Sequence, residues 1–304
     1  MSVGGKREAQ LTVVAGRKGV GKTFETTQEL KDYCHFLRRK VLILDINNEY
    51  TEFRPIICDE KNIKLFTAQN TIEIRRVLPT LKSKAKDLGE LKSDMSVMLE
   101  NFRGGLIVFD DINRVVGDAI GSDLIGHIVT QRHKSCDIIL QFQGIGRCGH
   151  PKILMNTNLL RLHWTDDSVH RNRNKFVDKE EILKIAEAIV NNKVQTGQYL
   201  RKQYEIKNPD YLKNPQKLKE YENIFNKYCR FFLWVNYDSQ TISGKFTKDE
   251  MIDGVFRYIS ENSQDVLTPE LNRINRDGKR ANKTPKEAID FLENKLVDLY
   301  WGNK

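Results

Sequence analysis

Apolar residues in this chain gather in short unbroken runs more than in alternation. Leu11 to Ala15, Val41 to Leu44, Leu106 to Phe109, Ile138 to Leu140 and Leu159 to Trp164 are such runs, rich in β-branched side chains. Each reads as a strand buried on both faces. Ile63, Leu65 and Phe66 predict a further, shorter strand. Between the runs, apolar positions recur at helical spacing over 22–38, closed by Arg38-Arg39-Lys40, where cations suit a helix C-terminus. Residues 71–102 read as helical with breaks near Pro79 and Gly89, and a helix is predicted over 120–133. Apolar strands alternating with helices predict an α/β fold with a parallel sheet covered on both faces. After residue 165 the pattern changes: Phe231 to Val235 is a strand candidate, and helices are predicted over Lys248–Tyr258 and Pro285–Tyr300, the latter with proline in its first turn.

Composition narrows the class. The chain has 304 residues, 39% hydrophobic and 30% charged, which is globular composition with enough length to bury a core. Five cysteines without a Cys-x-x-Cys pair argue against a disulfide framework or a zinc ribbon. No apolar run approaches the roughly 18 residues of a membrane span. The segment Met1 to Arg7 lacks the apolar stretch of a secretory signal, and residues 1–8 read as a flexible arm. A soluble protein of the cytoplasm, without a membrane partner, is expected. The net charge of +9 suits a polyanionic partner. Nine Lys/Arg against four acids over 193–230, and six against one over 273–286, concentrate that charge in the second half. Tyr199, Tyr204, Tyr211, Tyr221 and Tyr228 interleave with the first cluster. They suit either a grip on nucleic-acid phosphates or the packing face of amphipathic helices.

The chemistry begins after the first strand. Gly16-Arg17-Lys18-Gly19-Val20-Gly21-Lys22-Thr23 matches G-x-x-x-x-G-K-[ST] in the strand-to-helix setting the motif requires, with Phe24 following. Glycines let the backbone turn its N–H groups onto a phosphate, and the next helix points its positive end there. Residues 16–24 are therefore the expected ATP site, with Lys22 on the β- and γ-phosphates and the Thr23 hydroxyl on Mg²⁺. Leu106 to Phe109 ends in Asp110-Asp111. Asp110 suits a water-mediated hold on the metal. Asp111 either polarises the attacking water or caps the following helix.

These features occur in a telling order: the phosphate loop, then Asp45-Ile46-Asn47-Asn48-Glu49-Tyr50 after the second apolar run, then Asp110-Asp111, then Gln131-Arg132-His133-Lys134 and Asp137 to Gln143. The order resembles the FtsK–HerA superfamily of P-loop ATPases. Within it the chain looks most like the zonula-occludens-toxin-like and viral genome-packaging branch. The resemblance covers roughly residues 9–165. It implies an ATPase core of the RecA/ASCE type over 9–165, followed by a mostly helical, basic extension over 166–304 with one or two strands. It also implies an extra strand between the phosphate-loop strand and the Asp110 strand, with a polar side chain sensing the γ-phosphate. Gln141 and Gln143 both compete for that place, and Gln143 lies nearer the strand end. Arg132 and Arg147 are the candidates for an arginine finger reaching a neighbour's nucleotide in a homo-oligomeric ring, six subunits in the family. The implied function is an ATP-driven translocase of double-stranded DNA, in host cytoplasm or on a virion, with capsid or portal proteins as further partners. Asp111 stands where the family has Glu, and the membrane helix of the toxin-like members is missing.

Three other patterns carry less. Gly144-Ile145-Gly146-Arg147-Cys148-Gly149 matches G-x-G-x-x-G, but a dinucleotide fold wants this motif near the first strand of a βαβ unit, and the chain already has a better phosphate loop; the segment reads as a mobile loop. Cys136, Cys148, His133 and His150 lack metal-ligand spacing. His170 to Lys175 resembles the arginine lid of a small-molecule P-loop kinase, or is a solvated basic loop. A P-loop kinase, and a nucleotide-holding virion protein without turnover, therefore stand as alternatives to the motor.

Overall fold

The computed structural model describes residues 8–81, 84–113, 126–128, 130, 135–148, 151–176 and 178–303. Residues 1–7 of the expected 1–8 arm, most of the expected helix over 120–133, and Arg132 lie outside them. The chain forms two compact units, one of residues 1–161 with 165–167 and one of 162–164 with 168–304.

The first unit is a sheet with its helices. Its strands are β1 (Leu11–Ala15), β2 (Val41–Leu44), β3 (Arg54–Pro55), β4 (Ile74–Val77), β7 (Leu106–Phe109), β8 (Asp137–Phe142) and the start of β9 (Leu159–His163). A small separate hairpin pairs β5 (Thr80–Leu81) with β6 (Lys84–Ala85). The order across the sheet is β9-β1-β8-β7-β2-β4-β3. The pairs β1–β8, β8–β7, β7–β2, β2–β4 and β4–β3 are all parallel. Every residue of β1, β2, β7 and β8 is buried, which is why these strands read as continuous apolar runs. The strand expected between the phosphate-loop strand and the Asp110 strand is β8.

Helix α1 (Lys22–Leu37) packs on one face, where Leu30 joins Val14, Val41, Ile43, Tyr50, Leu106, Val108 and Ile139 in one apolar cluster. Helices α2 (Glu60–Ala68) and α3 (Leu88–Asn101) pack together, with the Phe66 ring stacked on Phe102 at 5.8 Å.

Two expectations are corrected here. The strand predicted at Ile63–Phe66 is α2: Ile63 and Phe66 are buried while Leu65 is 51% exposed, an i, i+3 face and not an alternation. Asp59 caps its start by accepting from Asn62 N at 2.7 Å. The Lys40 ammonium closes its other end on the carbonyls of Phe66 and Thr67. The helix predicted over 71–102 is strand β4, the hairpin, and then α3. Residues 74–77 are claimed by pairing with β2, and α3 begins only at a capping box formed by Asp87 and Glu90.

The second unit holds the end of β9, the antiparallel pair β10 (Phe232–Asn236) and β11 (Thr241–Gly244), and a helical layer. A six-residue α4 (Pro151–Asn156) precedes β9 in the first unit. In the second, α5 (Glu180–Lys207) is followed by α6 (Pro215–Ile224), a π-helical turn over Phe225–Cys229, α7 (Lys248–Glu261), α8 (Leu267–Leu271) and α9 (Pro285–Tyr300). Helices α5 and α7 approach at Gly254, where a Cβ would collide with Ile189. Of the interleaved tyrosines, Tyr204, Tyr211 and Tyr221 pack their rings together in edge-on and tilted contacts, and Tyr221 takes a hydrogen bond from Arg201 Nη2 at 2.6 Å. They serve as the packing face between α5 and α6, while Tyr199 stays 62% exposed.

Candidate nucleotide-binding site

In a parallel sheet the C-terminal ends of neighbouring strands share one edge. Here that edge receives Gly16 after β1, Asp45 after β2, Asp110 and Asp111 after β7, and Gln143 after β8. The Gly16 amide donates to the last residue of β8, Phe142, at 3.2 Å, so the loop starts anchored to the sheet. Gly19 and Gly21 take φ of 85° and 89°, left-handed values that glycine adopts without strain. Val20 plugs the loop into the core at 4% exposure, and Arg17, Lys18 and Gly19 face outward. Arg17 pairs with Asp166 at 3.0 Å. Phe24 is 56% exposed on the first turn of α1.

Lys22 folds its ammonium back across the loop, donating to the carbonyls of Gly16 at 2.5 Å and Arg17 at 2.8 Å. Burial pulls its pKa down, opposed by the Asp110, Asp111 and Glu49 carboxylates. The Thr23 hydroxyl donates to Glu49 Oε2 at 2.5 Å.

Asp110 and Asp111 are both buried. Asp110 Oδ2 and Asp111 Oδ1 meet no hydrogen-bond partner among the described residues. Burial lifts the Asp110 carboxyl to about 8, helped by the charges of Glu49, Asp45 and Asp111. Such buried, like-charged, unpartnered oxygens are costly without a cation. The donor set of a hydroxyl and carboxylates suits Mg²⁺. No group of three His, Cys, Asp or Glu among the described residues forms a metal cage of its own. A magnesium ion there would depend on phosphate oxygens and water for its remaining ligands, as that ion commonly does.

Asp111 has φ 44° and its Oδ2 accepts from Gln143 Nε2 at 2.7 Å and Asn47 Nδ2 at 3.3 Å. Of the two competing glutamines, Gln143 thus reaches the acid pair. Gln141 lies fully buried and donates to Tyr50 Oη at 2.5 Å. Arg147 is exposed on the turn after Gln143. That turn is built around Asp167, whose carboxylate accepts from the Ile145 amide at 3.0 Å and the Gly146 amide at 2.5 Å. Over 144–148 the segment expected to be a mobile loop is a hydrogen-bonded turn with Ile145 and Cys148 buried, and Gly144 and Gly146 lie against the Asp167 carboxylate.

Three features were not singled out from sequence. In sequence Glu49 is one letter of the Asp45–Tyr50 pattern; in the fold it reaches Thr23. Asp45, fully buried, accepts from the amides of Glu49 and Tyr50 at 2.8 and 3.1 Å and pairs with Arg76 at 2.7 Å. This explains the spacing from Asp45 to Glu49-Tyr50 as a carboxylate folding the chain back on itself. Arg161 of β9, also fully buried, pairs with Glu29 at 2.6 Å and reaches Thr26 and the Lys22 carbonyl, all on one side of α1. A lone arginine inside Leu159-Leu160-Arg161-Leu162 was the available signal.

No family model and no curated protein matches this sequence. Solved structures do match the fold. The genome packaging NTPase B204 from Sulfolobus turreted icosahedral virus 2, in complex with ATP-gammaS, aligns at a TM-score of 0.50 and 13% identity over 78% of this chain and 97% of that one. Its complex with sulfate gives 0.49 at 13% identity over 77% and 95%. The DNA-packaging ATPase B204 from Sulfolobus Turreted Icosahedral Virus gives 0.47 at 14% identity over 77% and 95%. At 13% identity the likeness to the ATP-gammaS complex is one of fold, and the fold of this chain is that of a P-loop NTPase.

Proposed function

We propose that this chain is an ATP-hydrolysing translocase of double-stranded DNA, a viral genome-packaging ATPase working as a homo-oligomeric ring, with six subunits as the family resemblance implies. The observation that carries the proposal is the convergence of a phosphate loop, its lysine and two buried acids with unpartnered oxygens on one sheet edge. The N–H groups of 16–24 bind the phosphates, and Lys22 moves from the loop carbonyls to the γ-phosphate. Thr23 and Asp110 hold magnesium, which when bound neutralises charge on the phosphates. Asp111 and Gln143, already hydrogen-bonded, couple the acid pair to the turn that carries Arg147. Arg147 or Arg132 serves the neighbouring subunit's site as its finger. The basic clusters of 193–230 and 273–286 grip DNA through phosphates, which makes recognition sequence-independent.

The test is nucleotide hydrolysis with and without duplex DNA. DNA-stimulated turnover is expected, reduced about 100-fold or more in Lys22→Ala at unchanged folded content. Phosphate transfer to a small acceptor would replace this reading with a kinase. Binding without turnover would leave a nucleotide-holding scaffold.

A further inference from the structure

We infer that Glu49, and not Asp111, is the general base that takes the proton of the attacking water; this rests on the ATPase reading above. Glu49 follows β2, the neighbour of the Asp110 strand, and so stands on the same sheet edge. Its carboxylate reaches the rim of the phosphate loop, with Oε2 accepting from the Thr23 hydroxyl at 2.5 Å. It is exposed, so water reaches its other oxygen. Asp111 is 5% exposed: its Oδ2 is committed to Gln143 and Asn47, and its unpartnered Oδ1 is buried away from solvent. Its side chain is also one methylene shorter, and a general base must come within hydrogen-bond reach of its proton.

Glu49 is held rigidly from behind. Its amide donates to Asp45 Oδ1 at 2.8 Å. Asp45 is fixed by Arg76, which also binds Asn48 Oδ1 at 2.6 Å and the Phe53 carbonyl at 3.0 Å. A buried ion pair thus positions a water-accessible carboxylate, the support a catalytic group needs. In the reaction the water oxygen bonds to the γ-phosphorus, and the bond from that phosphorus to the bridging oxygen breaks. The bridging electron pair leaves on ADP. The water proton passes to the Glu49 carboxylate, which returns it to solvent.

The experiment compares the full-length protein with Glu49→Gln and Asp111→Asn, by ATP turnover, by affinity for a fluorescent ATP analogue, and by chromatography of the nucleotide retained on the protein. Glu49→Gln keeps an acceptor for Thr23 but cannot take a proton. We expect turnover to fall about 100-fold or more, analogue affinity to stay within about threefold, and the retained nucleotide to be uncleaved triphosphate. Asp111→Asn should lose less turnover than Glu49→Gln. Glu49→Gln turnover within a few-fold of wild type overturns the inference. So does loss of analogue binding alongside turnover, which would make Glu49 a binding group. Wild-type protein without any ATP turnover would instead remove the ATPase reading, and the inference with it.

Discussion

At the residue scale, the buried acid Asp110 sets the energetic character of the site. Burial, and after it the charges of neighbouring carboxylates, push this carboxyl from the ordinary aspartate range near 4 up to about 8. The unfolded chain therefore releases this proton first. Its contribution to stability is fully present below about pH 4 and is lost as pH rises toward about 8. Asp110→Asn removes the titration. In nucleotide-free protein we expect the variant to melt higher than wild type at pH 8, by about 2 kcal/mol or more of stability, and the gap to close near pH 4. Melting curves across that range check this; an unchanged gap would show that the carboxyl is not the titrating group.

At the element scale, α1 is fastened at three successive turns of one face. Arg161 reaches the Lys22 carbonyl, Thr26 and Glu29. Burial pushes the Glu29 carboxyl up, and the guanidinium opposes that shift. Removing one partner of such a pair leaves an uncompensated charge. Arg161→Met should therefore cost about 2–4 kcal/mol, and Glu29→Gln in the same background should restore part of it. Urea unfolding of the three proteins measures both. Additive losses would mean that the two groups do not interact. Arg161 also explains a limit of sequence reading: an arginine in a strand is legible, but its partners lie 132 and 135 positions away on α1. The failure at Ile63–Phe66 has another cause. Three apolar residues in four positions fit a strand and a helix alike, and the choice fell to the Asp59 cap and the Lys40 ammonium.

At the scale of the whole molecule, the charge of +9 and its concentration in two segments govern the proposed partner. Arg276, Lys279 and Arg280 lie exposed on a tight turn closed by the Asn275 amide on the Lys279 carbonyl at 2.7 Å. If this turn grips phosphates, replacing the three with alanine weakens duplex binding for all sequences alike. It also lowers the slope of log affinity against log salt by about 2–3, one counterion per contact. Titrations at several salt concentrations read that slope; an unchanged slope would move the DNA contact elsewhere. Among the described residues no helix is long and apolar enough to cross a membrane.

Sequence alone determined the phosphate loop, the parallel-sheet class and the acid pair, because each is written in contiguous residues whose local physics suffices. Glycines permit one backbone turn, unbroken apolar runs demand burial on both faces, and a strand ending in two acids marks the sheet edge. Tertiary structure decided everything that depends on residues distant in the chain. It drew Gln143 to Asp111 and Gln141 to Tyr50, although only one residue separates the two glutamines. It closed the glycine turn on Asp167 and carried Glu49 to Thr23. Those pairings are chosen by strand order and by buried ions seeking partners, and neither is encoded at short range.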